Sequence, residues 1–293
     1  MFRDLKHLGR WIAIAVAIGL FCSAEALAAK PPQPGGDTSP YTLVALDARA
    51  GYVRSLVRDV KIVNGTIACV GYLAEADGDK AVLWQVTPAG SGFSVTTHYL
   101  AGGECTGGMN AHGEAVGRCS EFDPETKLWL YRGLYWASHA APPITLAPLP
   151  GDNETEPLAI NTAGVIVGRS TYKYATAYDE NGDVVGWSEE PTAVAWRTDL
   201  MDPTTGELVP FVLGDQPTDF SAAYDINQCD DEGYAQVVGY ASEAGAATWL
   251  VHCPTMTSTG PVSLVPVNMK AGGRAQGIND AGDACGTYGL LAF

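Results

Sequence analysis

The chain has 293 residues, 46% of them hydrophobic and 17% charged, and a formal net charge of −16. That balance argues against binding nucleic acid or anionic lipid by general electrostatics and describes an acidic, soluble surface. Beyond the N-terminal segment about 250 residues remain, which suits one repeat domain or one large all-β domain as well as two ordinary ones.

Residues 1–28 read as a secretory signal peptide. Arg3, Lys6 and Arg10 make a basic start, Trp11–Ser23 is an apolar run, and A-E-A-L-A-A closes it with small residues. Ala26-Leu27-Ala28 offers a peptidase site, so the mature chain would begin near Ala29. The apolar run is short for a span of roughly 20 residues, and no membrane span is expected in the mature chain. Cys22 follows the bulky Phe21, which argues against lipidation. The expected location is the periplasm or the medium. Losing residues 1–28 removes three cations and two carboxylates and leaves −17. Residues 29–40 carry Pro and Gly without periodicity and read as a flexible linker or tail.

Residues 41–293 repeat one pattern five times. Asn64, Asn110, Asn161, Asn227 and Asn279 mark turns, and Gly71, Gly117, Gly168, Gly239 and Gly286 follow them. The glycine lies seven residues after the asparagine, except in the fourth copy, where the gap is twelve. After the glycine comes a run ending in tryptophan: Trp84, Trp136, Trp196 and Trp249. A strand of alternating Leu or Val then follows: Phe93–Leu100, Ile144–Leu149, Leu208–Leu213 and Val262–Val267. Short segments rich in β-branched and aromatic residues, bounded by Gly, Pro, Asp and Asn, are strand grammar. Only Ala45–Val60 leaves room for a helical turn.

The unit is therefore four strands, and Asn-to-Asn spacings of 46, 51, 66 and 52 match the length of a propeller blade. Asparagine and glycine suit the turns because both tolerate positive φ, as at Gly113, Gly164 and Gly282. The ordered part begins with Tyr41–Leu46, a fourth strand with no first three before it. It ends at Phe293 with three strands and no fourth. Joining these ends removes both exposed edges. The expected fold is all-β: a closed five-bladed β-propeller whose last blade is completed by the N-terminal strand. An open β-solenoid is the alternative.

Six cysteines remain after export, an even count that permits disulfides. With Asn110–Gly113 as a turn, facing residues have numbers summing to about 223, so Cys105 and Cys119 are expected to bridge that hairpin. Cys229 and Cys253 flank the fourth copy, and Cys69 and Cys285 occupy nearly equivalent places in the first and last. Their pairing stays open.

The pattern A-x-x-I-N-x-x-G-x-V-V-G, followed by A-x-x-W and a Leu-rich strand, resembles the HAF-repeat extracellular proteins of bacteria. Leu158–Gly168, Ala223–Gly239, Gln276–Gly286 and, more loosely, Gly107–Gly117 carry the likeness, while the first copy departs furthest. The resemblance implies an exported, propeller-like repeat protein with no established activity and no catalytic residues to carry over.

Candidate chemistry is sparse. His98, His112, His139 and His252 form no H-x-x-x-H spacing, there is no Cys-x-x-Cys, and there is no G-x-S-x-G. The expectation is no resident cofactor, metal or catalytic residue. Calcium is the one cofactor left open, through acidic clusters at Asp77-Gly-Asp79, Asp179–Asp183, Asp230–Gly233 and Asn279–Asp283. None fits the twelve-residue calcium loop, and such residues between strands are ordinarily turns. A five-bladed glycoside-processing enzyme would need paired carboxylates on the innermost strands, where Asp59, Glu104, Glu154, Glu156 and Asp225 qualify by position.

The third copy carries the longest insert, 28 residues between Gly168 and Trp196. It reads as a projecting hairpin turning at Glu180–Asp183. Even spacing puts Tyr172, Tyr174 and Tyr178 on one face, with Trp187 opposite Thr176 among them. That aromatic face is the candidate contact surface. The expectation is a monomeric, non-catalytic binding module for a protein or glycan ligand. A glycosidase or a purely structural repeat protein are the alternatives.

Overall fold

The computed structural model describes residues 44–46, 54–90, 92–214, 220–263, 273–288 and 291–292. The expected signal peptide (1–28) and linker (29–40) lie outside the described residues. Every element among those described is a β-strand, and all named strand pairs are antiparallel.

The strands form five sheets in chain order. The first holds β1 (Arg54–Val63), β2 (Thr66–Glu75), β3 (Gly78–Ala89) and β4 (Gly92–Tyr99). The second holds β5 (Cys105–Met109), β6 (Ala115–Asp123), β7 (Leu128–Trp136) and β8 (Ile144–Thr145). The third holds β9 (Glu154–Ile160), β10 (Val165–Tyr178), β11 (Val184–Met201) and β12 (Leu208–Val212). The fourth holds β13 (Ser221–Ile226), β14 (Tyr234–Ala241), β15 (Gly245–His252) and β16 (Thr257–Ser263). The fifth has three described strands, β17 (Gly273–Ile278), β18 (Ala284–Tyr288) and β19 (Leu291–Ala292). The four-strand unit thus appears as expected. Of the stretch Ala45–Val60, left open for a helical turn, Arg54–Val60 is strand, and residues 47–53 lie outside the described residues. In the fourth sheet the outer strand begins at Thr257, five residues earlier than the Val262 start expected.

The repeat glycine has a cause different from turn geometry. In each sheet the first strand carries a β-bulge opposite it, with Arg58, Gly107, Leu158, Tyr224 and Gln276 as the extra residues. The bulge pushes a backbone carbonyl toward the second strand. A Cβ on Gly71, Gly117, Gly168 or Gly239 would lie 1.8–2.1 Å from the carbonyl oxygen of Leu56, Cys105, Glu156 or Ala222. Only glycine permits that approach.

The asparagine likewise does more than tolerate positive φ. Only Asn64, at φ 50°, adopts that conformation, paired with Gly65 at 76° in a two-residue turn. Asn110, Asn161 and Asn279 instead use the side chain. Each Oδ1 accepts from the backbone N–H groups two and four residues on, at 2.8–3.1 Å, which closes the hairpin loop. In two of the three Nδ2 reaches outward, Asn110 donating to the Asn161 carbonyl at 3.0 Å and Asn161 to the Asn227 carbonyl at 3.1 Å, while Asn279 donates to Asp283 in its own loop. One side chain shapes its own turn and ties its sheet to the next. In the fourth copy Asp230 performs the loop closure, accepting from Glu232 and Tyr234, which accounts for the stretched gap there.

Trp136, Trp196 and Trp249 fill the space between successive sheets, and Trp84 packs against Leu46 and its own sheet. Trp84, Trp136 and Trp196 are fully buried, and Trp249 nearly so. Trp136 and Trp196 donate their indole N–H to the carbonyls of Ala101 and Ala147, which lie just beyond the preceding sheet. A leucine packs into the same cluster each time: Leu100 with Trp136, Leu146 with Trp196, Leu213 with Trp249, and Leu46 with Trp84.

The expected Cys105–Cys119 bridge is absent; both are free. Cys105 pairs with Arg118, one residue short of Cys119. Because side chains alternate across a strand, an offset of one places the two thiols on opposite faces. The disulfide that forms is Cys229–Cys253, with Cα atoms 7.0 Å apart, anchoring the loop after β13 to the end of β15. It closes a sequence separation of 24 residues, for which the loop-entropy relation gives about 3 kcal/mol. The Cys229→Ser/Cys253→Ser double variant should therefore lose about that much in urea unfolding. A loss below about 1 kcal/mol would show that the crosslink does little.

Candidate functional site

The first strands of all five sheets line one cavity of about 420 Å³. Residues from β1, β5, β9, β13 and β17 reach it, and every bulge residue is among them: Arg58, Gly107, Leu158, Tyr224 and Gln276. A bulge re-aims its extra side chain out of the alternating ladder. Five aligned bulges therefore send one residue per sheet to a common space.

Its charged residues are Arg58, Asp59, Lys61, Arg118, Glu156 and Asp225. The aspartates serve the backbone. Asp59 Oδ1 accepts from Val60 N–H at 2.7 Å and from Lys61 Nζ at 3.2 Å, while Oδ2 accepts from Met109 N–H of the next sheet at 3.0 Å. Asp225 repeats this, accepting from Ile226 N–H at 2.9 Å and from Ile278 N–H of the fifth sheet at 2.9 Å. Burial lifts the Asp225 pKa above the usual carboxylate value, against the pull of those donors. Glu156 sits between two guanidiniums, hydrogen-bonded by Arg118 and held by Arg169 at 2.6 Å. Burial alone would lower the Arg169 pKa, but Glu156 beside it holds it above its usual value. Arg118 also stacks over Tyr131, 3.6 Å from the ring centroid.

Of the five carboxylates expected near innermost strands, Asp59, Glu156 and Asp225 come together in the cavity and the other two do not. Glu104 accepts from Ser120 Oγ at 2.7 Å. Glu154 is buried against Lys173 Nζ at 3.2 Å and accepts from Tyr131 N–H. Among the described residues no group of three His, Cys, Asp or Glu is placed to hold a metal ion. In the acidic turns, Asp179, Asp230 and Asn279 accept backbone N–H groups.

The expected aromatic face on the third sheet is corrected. Trp187 pairs with Ala175, not Thr176. That one-residue difference moves it off the face of Tyr172 and Tyr174, which stack at 5.3 Å, and onto the face of Lys173, whose ammonium lies 5.7 Å from its ring. Bulges after Ala175 and Ala177 also break the alternation that would have carried Tyr178 along. Tyr172, Tyr178 and Trp187 are exposed and Tyr174 is half-buried, with Trp187 on the face opposite Tyr172 and Tyr174.

The bulge residues escaped sequence reasoning. Their signal was present: in four copies they hold the position three before the asparagine, the first variable letter of A-x-x-I-N.

The chain matches no family model and no curated protein. The HAF-repeat likeness therefore rests on the repeat residues alone.

Proposed function

We propose that the chain is an exported, non-catalytic binding module, built as a closed five-bladed β-propeller of the HAF-repeat kind, whose ligand occupies the cavity shared by its first strands. One observation carries this reading: the bulge residue of every sheet lines the same space. An open solenoid would spread those five strands along an axis instead of gathering them. Leu46 supports ring closure. It stands to Trp84 as Leu100, Leu146 and Leu213 stand to the tryptophans after them, which favours the N-terminal segment as the fourth strand of the last blade.

The glycosidase alternative draws less support. Acid/base hydrolysis needs a carboxyl free to exchange a proton and another free to attack or activate water. Here Asp59 and Asp225 brace backbone amides across sheets, and Glu156 is clamped by two arginines.

The test is a glycan and peptide array probed with the purified chain and with Leu158→Trp, which places an indole in the cavity. Capture by the wild type that is lost in the variant, at unchanged melting temperature, supports the reading. Equal capture by both would move the ligand elsewhere, and silence from the wild type would favour a purely structural repeat protein.

A further inference from the structure

We propose that this cavity binds a small hydroxylated organic anion, with Arg58 gripping the charged group and the other bulge residues setting specificity. The inference rests on the cavity being the ligand site, as proposed above. It comes from counting hydrogen-bonding capacity.

The carboxylates of the cavity are already engaged. Both oxygens of Asp59, Asp225 and Glu156 already take donors from backbone amides, Lys61, Arg118 or Arg169. The donors are not. Arg58 is exposed, lines the cavity beside Cys105, and makes no ion pair among the described residues. A guanidinium has five N–H donors in a planar fork, so most of its capacity remains. Lys61 spends one of three on Asp59. A site whose carboxylates already hold donors, with spare donors on Arg58 and Lys61, favours a ligand that brings an anionic acceptor. The bidentate fit of guanidinium to an oxyanion makes a carboxylate or phosphate the best match.

The rest of the lining fixes the remainder of the ligand. Tyr224 and Gln276 bring a phenol and an amide from the fourth and fifth sheets, suited to hydroxyl groups. Leu158 gives one apolar wall, and Gly107 contributes no side chain. About 420 Å³ lies in the range of small-molecule sites and accommodates a sugar acid or sugar phosphate. The chain as a whole, at −16, repels anions at long range. An arginine with no ion pair among the described residues therefore serves contact rather than steering.

The experiment is isothermal titration of the purified chain with D-glucuronate, D-glucose 6-phosphate and D-glucose. At least one of the two anions should bind about tenfold or more tighter than glucose, and comparing them decides between carboxylate and phosphate. Arg58→Gln should reduce the anion to the level of glucose while leaving the melting temperature in place. Arg58→Lys, which keeps charge but loses the fork, should fall between. Anions binding no better than glucose, or binding Arg58→Gln as well as wild type, would overturn the proposal. If the anions fail while a neutral glycan is captured in a manner blocked by Leu158→Trp, the anion assignment falls and the cavity reading stands. If Leu158→Trp changes nothing, both fall.

Discussion

Gly168→Ala should destabilise the chain by more than about 3 kcal/mol, an unusually large effect for adding one methyl group. The added Cβ would sit 2.1 Å from the Glu156 carbonyl oxygen and 2.8 Å from Pro157 Cα, both backbone atoms with no rotamer to escape into. Relief requires flattening the bulge in β9. That would turn Leu158 out of the cavity and loosen the Glu156 clamp. Gly92→Ala is the matched control, since it sits in a strand with nothing closer than 4.0 Å to its Cβ position. Urea unfolding of both variants reads the difference. Near-equal midpoints would show that the bulge gives way cheaply.

Trp196→Ala should cost about 3–5 kcal/mol, the range for emptying a large buried aromatic site. Trp196 is fully buried between the second and third sheets. A finer comparison separates packing from hydrogen bonding. Trp196→Phe also removes the donor to the Ala147 carbonyl, leaving that acceptor without its indole partner. Trp249 is as deeply buried, but its indole nitrogen has no hydrogen-bond partner among the described residues. Trp249→Phe therefore removes a liability and should cost less than Trp196→Phe. The reverse order in thermal melts would mean the indole hydrogen bonds contribute little to joining the sheets.

The four-strand unit was legible because its markers answer to backbone geometry. Glycine is needed where a carbonyl crowds, asparagine where a loop must be closed, and tryptophan where two sheets leave a gap. What failed was register. Cys105 with Cys119 and Trp187 with Thr176 were each misplaced by one residue, and one residue reverses the face of a strand. Bulges cause such slips, because they add a residue to one strand without adding a letter that announces it. Asp59, Asp225 and Glu156 were found by their place on first strands. Arg58, Tyr224 and Gln276 were passed over because variable letters inside a repeat look like noise.

That variability has a use. The bulge residue takes no place in the pairing register of its sheet, and the sheet-to-sheet ties run through Asn110, Asn161, Trp136 and Trp196. On the proposed reading, fold and recognition therefore depend on different letters of the same repeat. One set is held fixed by geometry, while the other stands outside the ladder, except at Gly107, where a Cβ would lie 2.5 Å from the Pro157 carbonyl oxygen. On the proposed reading such a chain would exchange its ligand by rewriting four characters, Arg58, Leu158, Tyr224 and Gln276, and the same property would make it a scaffold on which new pockets can be spelled.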